Sequence, residues 1–101
     1  MSVRIAGGEF AVTGTATSLT TLLGLSSQVF FQTLALRANA ANAGDIWVGS
    51  SAALTTSAQR GGFLHPDDGL TIDIADGRAS TSSIFFIASS PGDILHVLRL
   101  E

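Results

Sequence analysis

Residues 83–100 read SIFFIASSPGDILHVLRL, and this stretch decides the fold class. Two apolar segments rich in β-branched and aromatic residues, 83–89 and 94–100, lie on either side of a turn at Gly92 and Asp93. Short segments of this composition, separated by turn residues, are typical of β-strands. The stretch therefore predicts two consecutive strands.

The same pattern recurs at regular spacing through the rest of the chain. Further strand-like segments lie at 3–5, 9–13, 28–38, 46–49 and 70–75, and the turn glycines between them include Gly7-Gly8 and Gly61-Gly62. Segment 18–24 is ambiguous, because its leucines also fit one helical turn. We predict an all-β protein: a single small β-sandwich domain over residues 1–101, jelly-roll-like or immunoglobulin-like, with about seven or eight strands and at most one short helix near 18–24. Residues 1–15 are expected to be an N-terminal arm or extra strands.

The side-chain pattern also predicts which faces are buried. The alternation over 70–74 places Leu70, Ile72 and Ile74 on one face of a strand and Thr71 and Asp73 on the other. We expect an inward set of five residues: Leu34, Leu36, Ile72, Ile74 and Phe86.

Other strands are apolar on both faces, notably 29–31, 84–87 and 94–98. A strand of a two-layer sandwich has only one inner face, so the outward apolar residues need a cover. We expect Phe30, Phe85 and Leu95, or their neighbours, to face outward. They are either covered by loops and terminal segments, or they form a subunit or partner interface.

The shortage of charge points to association. Charged residues make up 13% of the chain, whereas an ordinary globular domain has about 25%. There is no lysine, and the segments 10–36, 46–59 and 79–92 carry no charge at all. With 46% apolar residues the chain should still fold. A surface so poor in charge is weakly protected against association, and we interpret association as the role of the protein.

Several classes of partner are not expected. The net charge of −3 and the scattered arginines offer no basic stripe for nucleic acid. No apolar run reaches the roughly 18–20 residues of a membrane span. The first residues lack the pattern of a signal peptide, so we expect a protein made in a cytoplasm. Without cysteine the chain has neither disulfides nor thiolate metal sites.

No motif predicts catalysis, a cofactor or a metal. His65 and His96 have no histidine or cysteine partner at ligand spacing. Asp73 and Asp76 faintly resemble a calcium loop, but the segment is better interpreted as a strand end followed by an Asp-Gly turn. No serine lies in a nucleophile motif, and no glycine-rich segment matches a phosphate-binding loop. We expect a protein that is not an enzyme.

The remaining motifs are structural turns and one tryptophan. The turn positions that we single out are Asn42, Gly44, Gly49, Pro66 and Gly69. Trp47 is the only tryptophan, and it should face away from Ile46 and Val48. Its side chain is expected either to anchor an interface with a partner or to be buried in the core. Trp47 beside Asp45 and Asn42 is also the only candidate for a sugar site.

Taken in order, these segments resemble a family of small phage virion proteins encoded among head-assembly genes. The resemblance covers residues 28–100. It is carried by LALRA at 34–38, NAGDIWVG at 42–49, the turn residues Leu64, Pro66 and Gly69, the strand SIFFIAS at 83–89, and the Gly92-Asp93 turn. The sequence departs from the family pattern where Asp67-Asp68 separates Pro66 from Gly69.

The resemblance implies a capsid decoration, or cement, protein on the outer surface of a phage head. Such proteins clamp neighbouring subunits of the major capsid protein, often as trimers. A homo-oligomer located in the virion is therefore expected, with interface residues among Phe30, Trp47, Phe85 and Leu95. The alternatives are a head–tail connector, head-fibre or tail protein, and a receptor- or carbohydrate-binding sandwich.

Overall fold

The computed structural model describes residues 5–74 and 77–100. Within these residues the chain forms ten β-strands, one helical turn and one 3₁₀ turn. In chain order they are β1 (Ile5–Ala11), β2 (Thr17–Ser18), α1 (Leu19–Leu22), β3 (Phe30–Phe31), β4 (Thr33–Ala38), β5 (Ile46–Gly49), β6 (Gly62–Leu64), β7 (Gly69–Asp73), β8 (Ala79–Ser80), the 3₁₀ turn Thr81–Ser83, β9 (Phe85–Ala88) and β10 (Ile94–Leu100).

Eight of the strands form two antiparallel sheets. Sheet 1 has the order β1-β10-β4-β7 and sheet 2 has the order β2-β9-β5-β6, while β3 and β8 form a separate pair. Both large sheets contribute to one hydrophobic core, with Leu34 and Val97 from sheet 1 and Ile46 and Phe86 from sheet 2. The all-β sandwich prediction is confirmed.

The strand order is that of a jelly roll, the eight-stranded double-sheet arrangement built from two Greek keys. The chain crosses from sheet 1 to sheet 2 between β1 and β2, between β4 and β5, and between β7 and β9. It returns to sheet 1 between β2 and β4, between β6 and β7, and between β9 and β10. Of the two sandwich types expected, the jelly roll is therefore the one adopted.

The N-terminal glycines do not form a turn. Gly7 and Gly8 lie inside β1, which pairs with β10 along its whole length, and neither has a positive φ. Gly7 lies opposite Leu98, and a Cβ there would come 2.9 Å from the carbonyl oxygen of Val97. Glycine is needed at this position for close approach, so the expected turn between segments 3–5 and 9–13 is wrong. Residues 1–4 lie outside the described residues.

Segment 28–38 is two strands rather than one. Gln32 separates β3 from β4: its N–H donates to the carbonyl of Leu100, and its carbonyl accepts from the N–H of Ile74. The chain thereby passes from the small sheet to sheet 1. The ambiguous segment 18–24 begins as β2 and continues as α1, where the Ser18 hydroxyl accepts the N–H of Thr21 as an N-cap.

The inward set is largely confirmed. Leu34, Leu36 and Phe86 are buried, and Ile72 and Ile74 are partly buried at the open edge of sheet 1. The expectation for Leu95 is wrong, because this side chain is fully buried. The register of β10 places Leu95 opposite Phe10 and Ala38 on the inner face, so that other β10 residues face outward.

Segment 62–69 contains a strand as well as the expected turn. After β6, the N–H of Asp68 donates to the carbonyl of His65, which closes a turn with Pro66 and Asp67 at its centre. Pro66 occupies the turn as expected. Asp67 has a φ of 71°, the left-handed angle at the second central position of a type II turn. Gly69 is not a turn residue but the first residue of β7.

The loop between β4 and β5 is fixed by side chains. The Asn42 amide donates to the carbonyl of Ile94 and accepts its N–H, and the buried Asp93 carboxylate accepts the N–H groups of Ala43 and Gly44. A Cβ on Gly44 would collide with the Ser89 hydroxyl. Asn42 and Gly44 are therefore structural, as the sequence predicts.

Candidate functional site

The outer face of sheet 2 carries a group of exposed aromatic and charged side chains. Ile46 and Val48 enter the core, so Trp47 between them faces outward, opposite Phe63 in the β5–β6 pair. Of the two roles expected for Trp47, burial in the core is therefore wrong. We call Trp47, Arg60, Phe63 and His65 the aromatic patch.

Ring contacts hold the patch together. The Phe63 ring lies 5.2 Å from the Trp47 ring and 4.7 Å from the His65 ring, measured between centroids. His65 Nδ1 lies 2.5 Å from a carboxylate oxygen of Asp45. Phe63 nevertheless remains 49% exposed, so about half of this side chain is available for contact with a partner.

Arg60 lies over the tryptophan. Its guanidinium carbon is 4.6 Å from the Trp47 ring centroid, a cation–π contact. One guanidinium nitrogen donates to the carbonyl of Thr56 at 3.3 Å. No carboxylate of the described residues forms an ion pair with Arg60, so none of them neutralises its charge.

The patch also contains an unsatisfied donor. Trp47 Nε1 is buried, and no acceptor of the described residues lies within hydrogen-bond distance of it. A depression of about 340 Å³ is lined by Trp47, Arg60, Gly61, Gly62 and Phe63. A buried donor without a partner is uncommon and costs about 1–3 kcal/mol.

The predicted interface residues are only partly brought together. Phe85 lies two residues before Ile87 on β9, and Ile87 is opposite Trp47, so Phe85 and Trp47 share the outer face of sheet 2. Phe30 is 51% exposed but belongs to the separate β3–β8 pair. Leu95 lies in the core. Arg60 and Phe63 were not predicted from the sequence.

A second candidate is a cleft of about 500 Å³ at one edge of the sandwich. Its apolar walls include Phe31, Val48 and Ile72. Polar residues of the loop between β5 and β6 border it, among them Gln59 and Arg60. Arg60 thus lies between the cleft and the aromatic patch.

The outer face of sheet 1 is the third candidate. Leu98, 53% exposed, projects from β10 between Gly7 of β1 and Ala35 of β4. Small residues on both sides leave the leucine prominent. Its neighbour His96 is bonded to the Asn39 amide, so the face offers apolar contact rather than reactive groups.

The described residues contain neither a metal centre nor a membrane-spanning helix. Across residues 5–74 and 77–100, no three His, Asp or Glu side chains come together as metal ligands would. Asp73 accepts a hydrogen bond from the Thr33 hydroxyl, and Asp76 lies outside the described residues. No helix in the described part of the chain is long and apolar enough to cross a membrane.

The sugar site expected around Trp47 lacks free polar partners. Both ends of the Asn42 amide bond the backbone of Ile94, and Asp45 bonds His65. One side of the Trp47 ring is covered by Arg60. A sugar ring would therefore have to displace existing contacts.

Comparisons with known proteins give no family. No protein-family model, curated protein or solved structure is significantly similar to this chain. The function is therefore argued from the surfaces described above.

Proposed function

We propose that this protein is a capsid decoration protein, which binds the outer surface of a phage head and stabilises the shell. The observation that carries the proposal is the amount of apolar surface left open on both outer faces. Phe63 on sheet 2 and Leu98 on sheet 1 are each about half exposed, and Phe30 is as well. The three side chains lie on different parts of the surface, and each offers apolar contact to a capsid subunit or to a second copy of the chain.

The fold and composition support the same function. Jelly rolls are common in viral capsid and lectin domains, although a fold alone does not determine function. The small number of charges and the exposed rings of Phe30 and Phe63 favour attachment by apolar burial. A stable contact buries about 1,200–2,000 Å² in total, and trimerisation on the shell would bury more.

The experiment is a titration onto undecorated capsids of the same phage, at low ionic strength and near 1 M NaCl. At 1 M salt the Debye length falls to about 3 Å, so an ionic contact weakens steeply while an apolar contact persists. We expect binding to be retained. Release by salt would contradict attachment by apolar burial, and no binding at either salt would contradict the decoration function.

Stoichiometry separates this function from the other virion roles. A decoration protein follows the symmetry of the shell, so mass spectrometry of the particle should give on the order of hundreds of copies. A connector or fibre protein follows the symmetry of a single vertex, with about six or twelve copies. The lower number would assign the protein to those alternatives.

A further inference from the structure

We propose that the aromatic patch is a carboxylate-recognition site, which receives an aspartate or glutamate side chain of the capsid subunit. The inference rests on the proposed function, because it names the chemistry by which the partner is recognised. Its basis is the cation at Arg60, the depression beside it and the exposed ring of Phe63.

The arginine already has contacts within the chain. The guanidinium contacts the Trp47 ring and the Thr56 carbonyl, and such contacts reduce the side-chain entropy that is lost on binding. A guanidinium has five N–H donors, and a carboxylate engages two of them in a parallel pair. One hydrogen bond to Thr56 leaves enough donors for such a pair.

The charge of the patch favours an anionic ligand. Arg37, on the outer face of sheet 1, is neutralised by an ion pair with Asp67, whereas Arg60 has no such partner among the described residues. Asp45, the carboxylate bonded within the patch, engages His65 instead. A carboxylate from outside the chain would therefore meet a cation that no carboxylate of the described residues neutralises.

The shape of the patch fits one side chain with an apolar neighbour. Arg60 and Phe63 both line the depression of about 340 Å³. A partner carboxylate bound to the arginine would therefore place its own side-chain carbons, or an adjacent residue of the partner, against the Phe63 ring. Tryptophan, arginine and aromatic residues dominate the binding energy of protein interfaces. One ionic contact within an apolar interface is also consistent with attachment that survives salt.

The first test uses Trp47 as its own reporter, because it is the only tryptophan. The probes are N-acetyl-phenylalaninate and its uncharged amide, followed by tryptophan fluorescence and the indole N–H signal in NMR. We expect a saturable change with the carboxylate only, lost in Arg60→Gln and kept in Arg37→Gln. An equal response to the amide, no saturable response, or a response retained in Arg60→Gln would overturn the inference.

The second test uses the undecorated capsids with the same two variants. We expect Arg60→Gln to bind at least about tenfold more weakly than the parent, because truncating one partner of an interfacial pair leaves the other unpaired. Arg60→Lys should bind with intermediate strength, since lysine keeps the charge but cannot form the two parallel hydrogen bonds of a guanidinium with a carboxylate. Arg37→Gln, which removes the same charge from the opposite face, should weaken binding less than Arg60→Gln does.

The outcomes separate the two proposals. If the parent binds capsids and Arg60→Gln binds equally well, the carboxylate site is wrong and the decoration function stands. If the parent does not bind capsids, the decoration function and the capsid as the source of the carboxylate are both wrong. The probe titration then decides whether the pocket binds carboxylates at all.

Discussion

The Asp93 carboxylate accepts the backbone N–H of Gly44 in a 2.9 Å hydrogen bond, which ties the loop before β5 to the start of β10. Its other oxygen accepts the N–H of Ala43 at 3.0 Å. Asp93 is only 8% exposed. Replacing it with alanine leaves two partly buried donors without an acceptor, at about 1–3 kcal/mol each. We expect Asp93→Ala to lower the free energy of unfolding by about 2–4 kcal/mol in urea denaturation.

Glu9→Ala is the matched control. Glu9 is an exposed acid on β1 without a bonded partner among the described residues, so its removal should change stability by less than about 0.5 kcal/mol. Equal effects of the two substitutions would show that Asp93 acts only through the net charge.

Leu34 and Ile72 are cross-strand neighbours on the inner face of sheet 1 with unequal burial. Leu34→Ala removes a fully buried side chain and should cost about 2–5 kcal/mol. Ile72 borders the cleft and is only partly buried, so Ile72→Ala should cost less than about 2 kcal/mol, because solvent already reaches part of it. Chemical denaturation of both variants checks the order, and a larger loss at Ile72 would contradict the open cleft.

Asp67 combines a strained backbone angle with an exposed ion pair. Its φ of 71° favours glycine, and a non-glycine residue in this region costs about 1 kcal/mol or more. The ion pair with Arg37 joins side chains that are both 62% exposed and is worth at most about 1 kcal/mol. We therefore expect Asp67→Gly to leave the melting temperature unchanged or raise it.

Two further variants separate the effect of the backbone strain at Asp67 from that of the ion pair. Asp67→Ala loses the ion pair and keeps the strain, so it should be less stable than Asp67→Gly by about 1 kcal/mol. Arg37→Ala loses the pair alone and should cost about 0–1 kcal/mol. A glycine variant less stable than the alanine variant would contradict the left-handed turn.

Gly49 and Gly62 are close in sheet 2 but differ in the space around them. A Cβ on Gly49 would lie 2.6 Å from the backbone oxygen of Gln59, whereas a Cβ on Gly62 meets nothing within 4 Å. Gly49→Ala must push the loop between β5 and β6 outward and should cost about 1–3 kcal/mol. Gly62→Ala should be within about 0.5 kcal/mol of the parent. Thermal unfolding measures both, and similar midpoints would mean that the loop does not pack on Gly49.

The strands with the strongest local pattern were the ones predicted best. Segments 94–100 and 46–49 coincide with β10 and β5 because apolar residues end at unambiguous turn residues. The glycines of β1 were misassigned because glycine suits both turns and close strand approach. Gln32 separates β3 from β4 through hydrogen bonds to Leu100 and Ile74, which are distant in sequence.

The candidate site was less predictable because it depends on register. Leu95 was placed outward because β10 is apolar on both faces, and such a strand has no alternation to fix its phase. Phe63 joins Trp47 only through the pairing of β5 with β6, across a loop whose sequence does not reveal that pairing. The position of Arg60 over the Trp47 ring follows from the same pairing.

The pairing of β1 with β10 places Ile5 directly opposite Leu100. Neighbouring strands are about 4.8 Å apart, so segments fused before residue 5 and after residue 100 would leave the molecule side by side. The domain could therefore be inserted into a surface loop of a host protein, entering and leaving through a single gap. Two fluorophores attached at these positions would report on unfolding by their separation.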